Sequence, residues 1–528
     1  MTNETTFTAL DEDGLIRLAQ RVAFYARSGD LILLEGDLGA GKTTFARALL
    51  HALGHPPEAE VPSPTFTIVQ TYETPRANVA HFDLYRLLDP AELDELGLDE
   101  ALLNGIAIVE WPNKGGERLA RIAAAGNTLH ISITESHRPA GNGETRELAI
   151  APGGTWKPRH TRLQQLCKFL VAANRNADTL TYLQGDASVR RYARLEDDKG
   201  TSRVLMDWPQ QPDGPPIRNG LPYSRISQLA ESVRPFVAIA RELRAGGTDA
   251  PAVEDADLEA GFLVLEDLGD DVFSNLVRAG ADQAPLWRAA VDTLVELRGH
   301  PPPSSMTLDD GSTISLPPYD ATPLGIEVEL LLDWYWPALY GTPVPDGDRE
   351  RFMALWNAVF DRLSILPRGW ALRDYHSPNL LRRPSSDGGA IRVGVIDFQD
   401  AQLGPHAYDL VSLLQDARVD VPANLEAELL AHYCTRMARS DQTFDRQQFE
   451  WSYAAMGAQR NSKILGIFAR LAHRDDKPQY LAHIPRIWRY LARDLAHPGL
   501  ADLKQWFEVA FPPAKRDQPI SPTPPQRS

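Results

Sequence analysis

The chain has 528 residues, of which 43% are hydrophobic and 24% charged, and this ordinary globular composition excludes a wholly disordered protein. At roughly 150 residues per domain, the length predicts more than one domain. The formal net charge of −17 disfavours broad nonspecific binding to nucleic acid or to an anionic membrane, and the two cysteines, Cys167 and Cys434, are too few for a disulfide framework.

The first residues and the hydropathy of the chain indicate its compartment. Residues 1–13 are polar and acidic and lack the apolar core of a signal peptide. No stretch approaches 18 uninterrupted apolar residues, the length expected of a transmembrane helix. We therefore expect a cytoplasmic protein without a membrane anchor.

The first part of the chain alternates predicted helices and strands. Helices are predicted over residues 15–26 and 43–53, and strands over residues 31–34, 67–71, 79–83, 106–110 and 128–134. This βαβ alternation predicts a parallel sheet covered by helices. Residues 148–150 are expected to form a last edge strand, and turn clusters within residues 135–158 predict a domain boundary.

The second part of the chain predicts a smaller mixed lobe followed by a larger helical one. Helices are predicted near residues 162–175 and 231–246, and strands over residues 190–196, 203–207, 261–265 and 391–396. The proline-rich end of the chain is expected to be disordered. The resulting domain plan is an α/β domain at residues 1–150, a linker at 151–161, an α+β domain at 162–511 and a tail at 512–528.

A phosphate-binding motif lies between the second predicted strand and the second predicted helix. Residues 36–44 satisfy G-x-x-x-x-G-K-[ST] in that setting, where backbone N–H groups and a helix N-terminus face phosphate oxygens. Lys42 is predicted to reach the β- and γ-phosphates of ATP, and Thr43 to ligate Mg²⁺. The predicted nucleotide-binding residues here are Gly36, Gly39, Gly41, Lys42, Thr43 and Thr44.

Two acids follow buried strands behind this motif. Asp83 ends the strand at 79–83, and Glu110 ends the strand at 106–110. One such acid alone is more often a surface residue at a strand end. Two of them beside a phosphate-binding loop predict a magnesium-binding or water-positioning role.

Three further segments carry a family resemblance. Residues 63–67, 81–87 and 109–112, in order behind the phosphate-binding loop, resemble the TsaE family of ATPases in tRNA threonylcarbamoyladenosine synthesis. The resemblance covers residues 8–135. It implies that Thr65 lies near the γ-phosphate, that Asp83 and Glu110 serve Mg²⁺ and hydrolysis, and that Trp111 packs near the nucleotide. It also implies TsaB- and TsaD-like protein partners, which would themselves hold the tRNA.

A second constellation lies far along the chain. Asp374 and Asn379 form D-x-x-x-x-N, and Asp397 follows a predicted strand in D-F-x-D. Phosphoryl transfer needs a carboxylate at the acceptor hydroxyl and oxygen ligands that hold Mg²⁺ on the phosphates. Asp374 is therefore the predicted base, and Asn379 and Asp397 are the predicted metal ligands. A capped helix start and a strand-end turn are the alternative interpretation of the two halves.

Two upstream segments predict the ATP contacts of this second site. Ser188, Arg190 and Arg191 belong to a loop expected to cover the phosphates. The strand at 261–265 leads into a hinge where backbone groups of Glu266 and Leu268 are expected to read the adenine edge. Taken singly, an arginine pair is more often a solvated edge and such a strand is more often core.

These segments resemble the aminoglycoside phosphotransferase and choline kinase superfamily, and within it the AmgK group of anomeric sugar kinases. Residues 185–192, 374–379, 397–401 and 404–413, with a late helix around residues 459–468, carry the resemblance, which spans residues 162–511. It implies ATP-dependent phosphorylation of N-acetylmuramate and N-acetylglucosamine at C1. Asp409 is expected to order the catalytic loop through backbone hydrogen bonds.

The sequence departs from the superfamily pattern at two places. Leu372 stands where many members have histidine, and the strand at 203–207 lacks the usual kinase lysine. Arg190 or Arg191 is the expected substitute for that lysine. A different class of acceptor, such as an aminoglycoside or choline, remains the alternative for this half, and a nucleotide-dependent interaction module the alternative for the TsaE-like half.

The acceptor pocket is the least defined part of the second site. Glu327 and Glu329, near the aromatic residues 334–336, are candidate sugar-binding residues, since carboxylates bind hydroxyls and aromatic rings stack on sugar faces. Aromatic clusters are more often core than binding platforms. The simplest explanation for two activities in one chain is co-expression from one gene, which we prefer to allosteric coupling.

Overall fold

The computed structural model describes residues 4–136, 145–183, 190–210, 214–383 and 389–520. Its chain forms two compact units: Met1–Pro209 with Glu254–Asp267, and Gln210–Val253 with Leu268–Ser528. The first unit therefore contains the phosphate-binding segment together with the strands expected for the smaller lobe. Within the described residues, no helix is both long and apolar enough to cross a membrane.

A seven-stranded sheet organises the beginning of the first unit, in the order β1-β7-β6-β2-β5-β4-β3. The strands are β1 (Thr5–Leu10), β2 (Asp30–Glu35), β3 (Val69–Glu73), β4 (Asn78–Asp83), β5 (Gly105–Glu110), β6 (Asn127–Ser136) and β7 (Thr145–Pro152). The helices are α1 (Glu12–Tyr25), α2 (Lys42–Ala52), α3 (Leu98–Asn104) and α4 (Gly116–Ala125). Short 3₁₀ segments lie at Leu84–Arg86, Pro90–Asp94 and Pro112–Gly115.

The centre of this sheet is parallel and its margins are antiparallel. Strands β6, β2, β5 and β4 run parallel, whereas β3 pairs antiparallel with β4, and β7 with β6. The expectation that residues 148–150 form an edge strand is wrong, because β1 pairs with the outer side of β7. Strand β1 was not predicted.

The rest of the first unit is a helix and a five-stranded sheet in the order β13-β14-β10-β9-β8. Its helix is α5 (Trp156–Ala172), and its strands are β8 (Thr179–Leu183), β9 (Arg191–Glu196), β10 (Ser202–Asp207), β13 (Val253–Asp257) and β14 (Phe262–Glu266). Three of these strands match the predicted ones, whereas β8 and β13 were not predicted.

One hydrophobic core runs through both sheets of the first unit. It joins Leu15 and Val22 of α1 to Leu163 of α5 and to Leu195 and Leu205 of the smaller sheet. Burying this apolar surface stabilises the unit as a whole, because each contact removes area from water.

Buried polar contacts accompany that core. The Tyr25 hydroxyl donates to Asp207 Oδ2 at 2.8 Å, and Arg162 donates to Asp207 Oδ1 through Nε at 2.9 Å. Arg159 binds both oxygens of Asp30 at 2.6 Å. Residues 151–161 therefore do not form a free linker: β7 ends at Pro152 and α5 begins at Trp156, inside this core.

The second unit is mostly helical, as the sequence predicts. Its helices are α6 (Tyr223–Ile226), α7 (Val233–Ala245), α8 (Phe273–Arg278), α9 (Gln283–Arg298), α10 (Ala321–Leu330), α11 (Trp336–Tyr340), α12 (Asp346–Ser364), α13 (Tyr408–Leu414), α14 (Ala423–Ser440), α15 (Arg446–Arg474), α16 (Ile484–Leu495), α17 (Ala501–Ala510) and α18 (Pro513–Arg516). A π-helical turn, Leu331–Tyr335, joins α10 to α11, and 3₁₀ segments lie at Ser377–Asn379, Pro478–His483 and Pro498–Leu500.

Short antiparallel strand pairs complete the second unit. They are β11 (Pro216–Arg218) with β12 (Leu221–Pro222), β15 (Met306–Thr307) with β16 (Thr313–Ile314), β17 (Arg368–Ala371) with β20 (Gln402–Pro405), and β18 (Leu380–Arg383) with β19 (Arg392–Val395). The segments between β17 and β18 and between β19 and β20 carry the predicted catalytic motifs.

The sequence predicts disorder from residue 512 onward, but regular structure continues past this residue. Residues Pro513–Arg516 form α18, and the Arg516 guanidinium carbon lies 4.8 Å from the centroid of the Trp488 ring. The contact between the Arg516 cation and the Trp488 ring stabilises this segment. The proline content of the sequence does not indicate such a contact. Residues 521–528 lie outside the described residues.

Candidate active sites

The phosphate-binding loop joins β2 to α2. Gly41 caps α2 with a φ of 105°, so the left-handed turn that precedes the helix is made by a residue without a side chain. Lys42 Nζ donates to the backbone oxygens of Gly36 at 2.9 Å and Asp37 at 2.8 Å, and lies 3.8 Å from the centroid of the Trp111 ring. Burial lowers the pKa of Lys42, while the charges of Glu110 and Asp83 oppose that change.

The two predicted acids end neighbouring parallel strands. The register of β4 and β5 places Asp83 opposite Glu110, and both side chains are buried. The Thr43 hydroxyl donates to Glu110 Oε1 at 3.0 Å, and Ser63 Oγ donates to Asp83 Oδ2 at 2.6 Å. Hydroxyl and carboxylate oxygens in this arrangement are the donor set that Mg²⁺ prefers, so the residues fit the predicted metal.

His81 is a further polar residue of this cluster. Its Nε2 lies 2.9 Å from Glu110 Oε1, and the ring is fully buried. His81 and Asp83 are two positions apart on β4, a spacing that places both side chains on one face of a strand. That spacing in the sequence could have identified His81, which was quoted only as part of a motif.

The remaining predicted residues of this first site lie around the same loop. Trp111 directly follows β5 with a φ of 58°, and its ring centroid lies 5.0 Å from that of Tyr85. Thr44 is half-buried in the first turn of α2. Thr65 is half-buried two residues after Ser63, whose hydroxyl bonds Asp83. The structure thus brings Lys42, Thr43, Asp83, Glu110 and Trp111 together.

Gly36 is the position of the loop that tolerates a side chain least. A Cβ there would lie 2.4 Å from the Ile133 backbone oxygen at a φ of 152°, whereas a Cβ at Gly39 would meet nothing within 4 Å. We expect Gly36→Ala to lower the free energy of unfolding by roughly 3 kcal/mol or more, and Gly39→Ala by only about 1 kcal/mol. Urea unfolding of the two matched variants measures this difference, and equal losses would contradict it.

The second site lies within the second unit. The Asp374 side chain is 44% exposed, in the segment between β17 and β18. Asn379 Nδ2 donates to the Asp374 backbone oxygen at 3.0 Å and lies 3.4 Å from Asp397 Oδ2, while Gln399 Nε2 donates to Asp397 Oδ1 at 3.0 Å. The structure therefore brings the predicted base and both predicted metal ligands together. An amide oxygen and a carboxylate fit Mg²⁺.

Buried acceptors hold the catalytic segment in shape. Asp409 accepts hydrogen bonds from the backbone N–H groups of Leu372 at 2.8 Å and Arg373 at 3.0 Å, which confirms its predicted ordering role. Arg373 has a φ of 71° and Asp397 a φ of 62°, conformations that a side chain disfavours. Leu372, where the superfamily often has histidine, is 2% exposed and packs as core.

Positive charges surround the predicted base. Partial burial alone would raise the pKa of Asp374. The charges of His376, which is protonated in the acid range, and of Arg460, Lys463 and Arg373 outweigh it and hold that pKa at about 2. Burial and the charge of Arg418 lower the pKa of His376 to about 4, so this ring is neutral at pH 7. An ionised Asp374 beside a neutral imidazole can accept a hydrogen bond from an acceptor hydroxyl.

The candidate sugar-binding carboxylates are engaged elsewhere. Glu327 is fully buried and accepts from Arg373 at 2.6 Å, Lys463 at 2.8 Å, Tyr319 at 2.6 Å and Gln459 at 3.0 Å. Glu329 pairs with Arg218 and Arg349.

The neighbouring aromatic residues also belong to the core. The Tyr335 hydroxyl accepts from Trp488 Nε1 at 2.8 Å, and the Trp336 ring packs 5.5 Å from that of Phe511. Tyr335 and Trp336 are therefore core residues and not a sugar-binding platform.

The predicted ATP contacts around the smaller sheet belong to the first unit, except for Leu268, which belongs to the second. The Arg190 guanidinium carbon lies 5.1 Å from the centroid of the Trp208 ring. The Arg191 guanidinium carbon lies 5.3 Å from that of Tyr25, and Arg191 pairs with Asp207 at 3.8 Å, on the face that packs against α1. Glu266 ends β14, and Leu268 is buried. Ser188 lies outside the described residues.

His406 makes the second unit sensitive to acid. Its Nε2 packs so close to Gly369 that an added Cβ there would lie 2.7 Å away. Burial and the charge of Arg298 lower the pKa of His406 to about 3, against the opposing charge of Asp441. Because this pKa lies below the unfolded value, the stabilisation is present above pH 6.5 and is lost as the pH falls towards 3.

We therefore expect the free energy of unfolding to fall by up to about 2 kcal/mol from pH 8 to pH 5 through this residue. His406→Gln should flatten the pH dependence of the free energy of unfolding by that amount. Urea unfolding at both pH values measures it, and parallel curves for wild type and His406→Gln would contradict the assignment.

Comparison with known proteins assigns families to both parts. The model of the phosphotransferase enzyme family matches residues 179–449, and that of threonylcarbamoyl adenosine biosynthesis protein TsaE matches residues 10–144. The N-acetylmuramate/N-acetylglucosamine kinase of Caulobacter vibrioides is 41% identical over 339 residues, covering 62% of this chain and 91% of its own length.

Two further relatives repeat this division. The protein of the same name from Pseudomonas putida is 33% identical over 332 residues, covering 62% of this chain and 87% of its own length. The tRNA threonylcarbamoyladenosine biosynthesis protein TsaE of Haemophilus influenzae is 39% identical over 111 residues, covering 20% of this chain and 69% of its own length.

The half-exposed carboxylate of Asp374, with Asn379 and Asp397 beside it, is the arrangement expected of an enzyme of ATP-dependent phosphotransfer. The chain belongs to the phosphotransferase enzyme family through its C-terminal part and to the TsaE family through its N-terminal part, as the predicted fusion requires.

Proposed function

We propose that the C-terminal part transfers the γ-phosphoryl group of ATP to the C1 hydroxyl of N-acetylmuramate or N-acetylglucosamine, as in cell-wall recycling. The observation that carries the proposal is the half-exposed Asp374 beside Asn379 and Asp397. The kinases of Caulobacter vibrioides and Pseudomonas putida, which carry that substrate pair in their names, support the choice of acceptor.

In this mechanism Asp374 orients the anomeric hydroxyl and takes its proton as the oxygen attacks the γ-phosphorus in line with the leaving ADP. Asn379 and Asp397 would hold Mg²⁺, which neutralises charge on the phosphates when bound. The left-handed backbone at Asp397 directs its carboxylate, and Gln399 fixes one of its oxygens.

The test is ³¹P NMR of the full chain with Mg-ATP and each sugar. The expected result is a new sugar 1-phosphate signal coupled to the anomeric proton. Absence of that signal with both sugars, together with ADP release on choline, ethanolamine or kanamycin, would overturn the acceptor and favour the alternative of another alcohol.

We further propose that the N-terminal part is a P-loop ATPase that supports tRNA threonylcarbamoyladenosine formation through TsaB- and TsaD-like proteins. The clustering of Lys42, Thr43, Asp83 and Glu110 supports hydrolysis rather than nucleotide binding alone. The test compares ATP turnover of the full chain with and without a purified TsaB–TsaD pair. Stimulation is expected, whereas nucleotide-dependent binding without turnover would favour the interaction-module alternative.

A further inference from the structure

One face of helix α15 carries a row of basic side chains. Arg460, Lys463, Arg470 and Arg474 follow one another with Ile467 between them, at spacings of three and four residues that keep side chains on one face of a helix. The first two lie close enough to Asp374 for their charges to lower the pKa of its carboxyl group. The row therefore begins at the predicted base and runs away from it.

The two members nearest the base have partners within the protein. Lys463 Nζ donates to Glu327 at 2.8 Å, and Arg460 donates to the Tyr408 hydroxyl at 3.2 Å. At the far end, Arg474 binds both oxygens of Asp475, at 2.8 and 2.9 Å. Lys463 and Arg474 are therefore paired with carboxylates, and the charge of Asp374 acts on Arg460.

Arg470 lies against an aromatic ring. It is half-buried, its guanidinium carbon lies 5.8 Å from the centroid of the Tyr223 ring at the start of α6, and its Nε, like that of Arg460, is buried without a hydrogen-bond partner. Among the described residues, no carboxylate lies within ion-pair distance of Arg470. The charge of Asp475 acts on it from farther away, but that carboxylate is bound by Arg474. A desolvated cation of this kind favours an anion from outside the protein.

The spacing of Arg470 along α15 suits one sugar. Arg470 lies seven positions beyond Lys463, whose charge acts on Asp374, and seven positions span about 10 Å along a helix axis. A single pyranose ring whose hydroxyl meets Asp374, extended by one substituent, can be reached by an arginine side chain across that distance. Tyr223, which lies against Arg470, provides an aromatic surface and a hydroxyl beside the same position.

We infer that Arg470, assisted by Tyr223, binds the carboxylate of an acidic acceptor and thereby selects N-acetylmuramate over the neutral N-acetylglucosamine. This inference rests on the proposed sugar kinase function. A guanidinium can donate two parallel hydrogen bonds to a carboxylate, which provides orientation as well as affinity. A neutral sugar leaves the cation unpaired.

The test is steady-state kinetics of the full chain on both sugars. Arg470→Gln is expected to raise KM for N-acetylmuramate by about 10- to 100-fold with little change in kcat, and to leave N-acetylglucosamine kinetics within about twofold. Arg470→Lys should restore part of the affinity for N-acetylmuramate, because lysine keeps the charge but cannot donate two parallel hydrogen bonds to a carboxylate. Arg439→Gln, which removes an exposed arginine from the last turn of α14, should change the kinetics on neither substrate.

Each other outcome contradicts the inference. Equal losses on both sugars would make Arg470 a structural residue, and no loss on either would remove it from the acceptor site. A wild-type chain that phosphorylates N-acetylglucosamine but not N-acetylmuramate overturns the inference alone. A wild-type chain that phosphorylates neither overturns the proposed function with it. Thermal unfolding of each variant separates a folding defect from a binding one.

Discussion

Asp374→Asn is expected to lower kcat for sugar phosphorylation by about 10²- to 10⁴-fold while leaving KM for ATP nearly unchanged. Asparagine keeps the size of the side chain and can still bond a hydroxyl, but it cannot take a proton. Since nearby positive charges outweigh burial and lower the pKa of Asp374 to about 2, we expect the wild-type carboxylate to be ionised at neutral pH. Coupled ADP-release kinetics with N-acetylmuramate measures the loss.

The control for this variant is Asp346→Asn, which removes an exposed acid from the first turn of α12 in the same unit. It should retain wild-type turnover. Full activity in Asp374→Asn would mean that another group accepts the proton, and the assignment of the base would be wrong. A loss of unfolding temperature in that variant alone would instead indicate damage to the segment that Asp409 holds.

Strands with strong apolar runs are the easiest to predict. β2 and β5 are buried almost throughout, so their hydrophobicity alone identifies them. β1 and β8 have polar and half-exposed residues, and β13 contains three acids, so their pairing depends on neighbours that are distant in sequence. The prediction that β7 lies at the edge of the sheet was wrong because its partner β1 is distant in the sequence, and the residues of β7 do not indicate this pairing.

The proposed catalytic residues could be predicted because they lie close together in the sequence. Asp374, Asn379 and Asp397 lie within 24 consecutive residues, at spacings fixed by their common task. The positively charged residues around Asp374 could not be predicted in the same way, because their partners are distant in the sequence. Glu327 meets Lys463 across 136 positions, and no periodicity or motif joins them.

The shared core of the first unit changes how the fusion is understood. Tyr25 of α1, in the TsaE-like segment, donates to Asp207 at the end of β10, and Arg191 of the smaller sheet lies against the same tyrosine. The two families are thus not joined by an exposed linker. Co-expression is still a sufficient explanation for the fusion of the two families in one chain. Variants of each ATP site, made separately, test whether the two sites are also coupled.

Lys42→Ala is expected to lower the ATPase rate of the N-terminal part by about 10²- to 10³-fold. The ammonium group is the side-chain cation of the phosphate-binding loop, and its removal takes a charge from the place where the γ-phosphate is expected. The rate must be measured in an Asp374→Asn background with the TsaB–TsaD pair present, because the second site also consumes ATP.

Lys114→Ala, which removes an exposed lysine from the same part of the chain, is the matched control and should leave this ATPase rate unchanged. In the single variant Lys42→Ala, sugar phosphorylation should stay within about twofold of wild type if the two sites act independently. Unchanged ATP turnover in the double variant would contradict the role of Lys42. A parallel fall in sugar phosphorylation would instead mean that the core joining Tyr25 to Asp207 transmits the state of one site to the other.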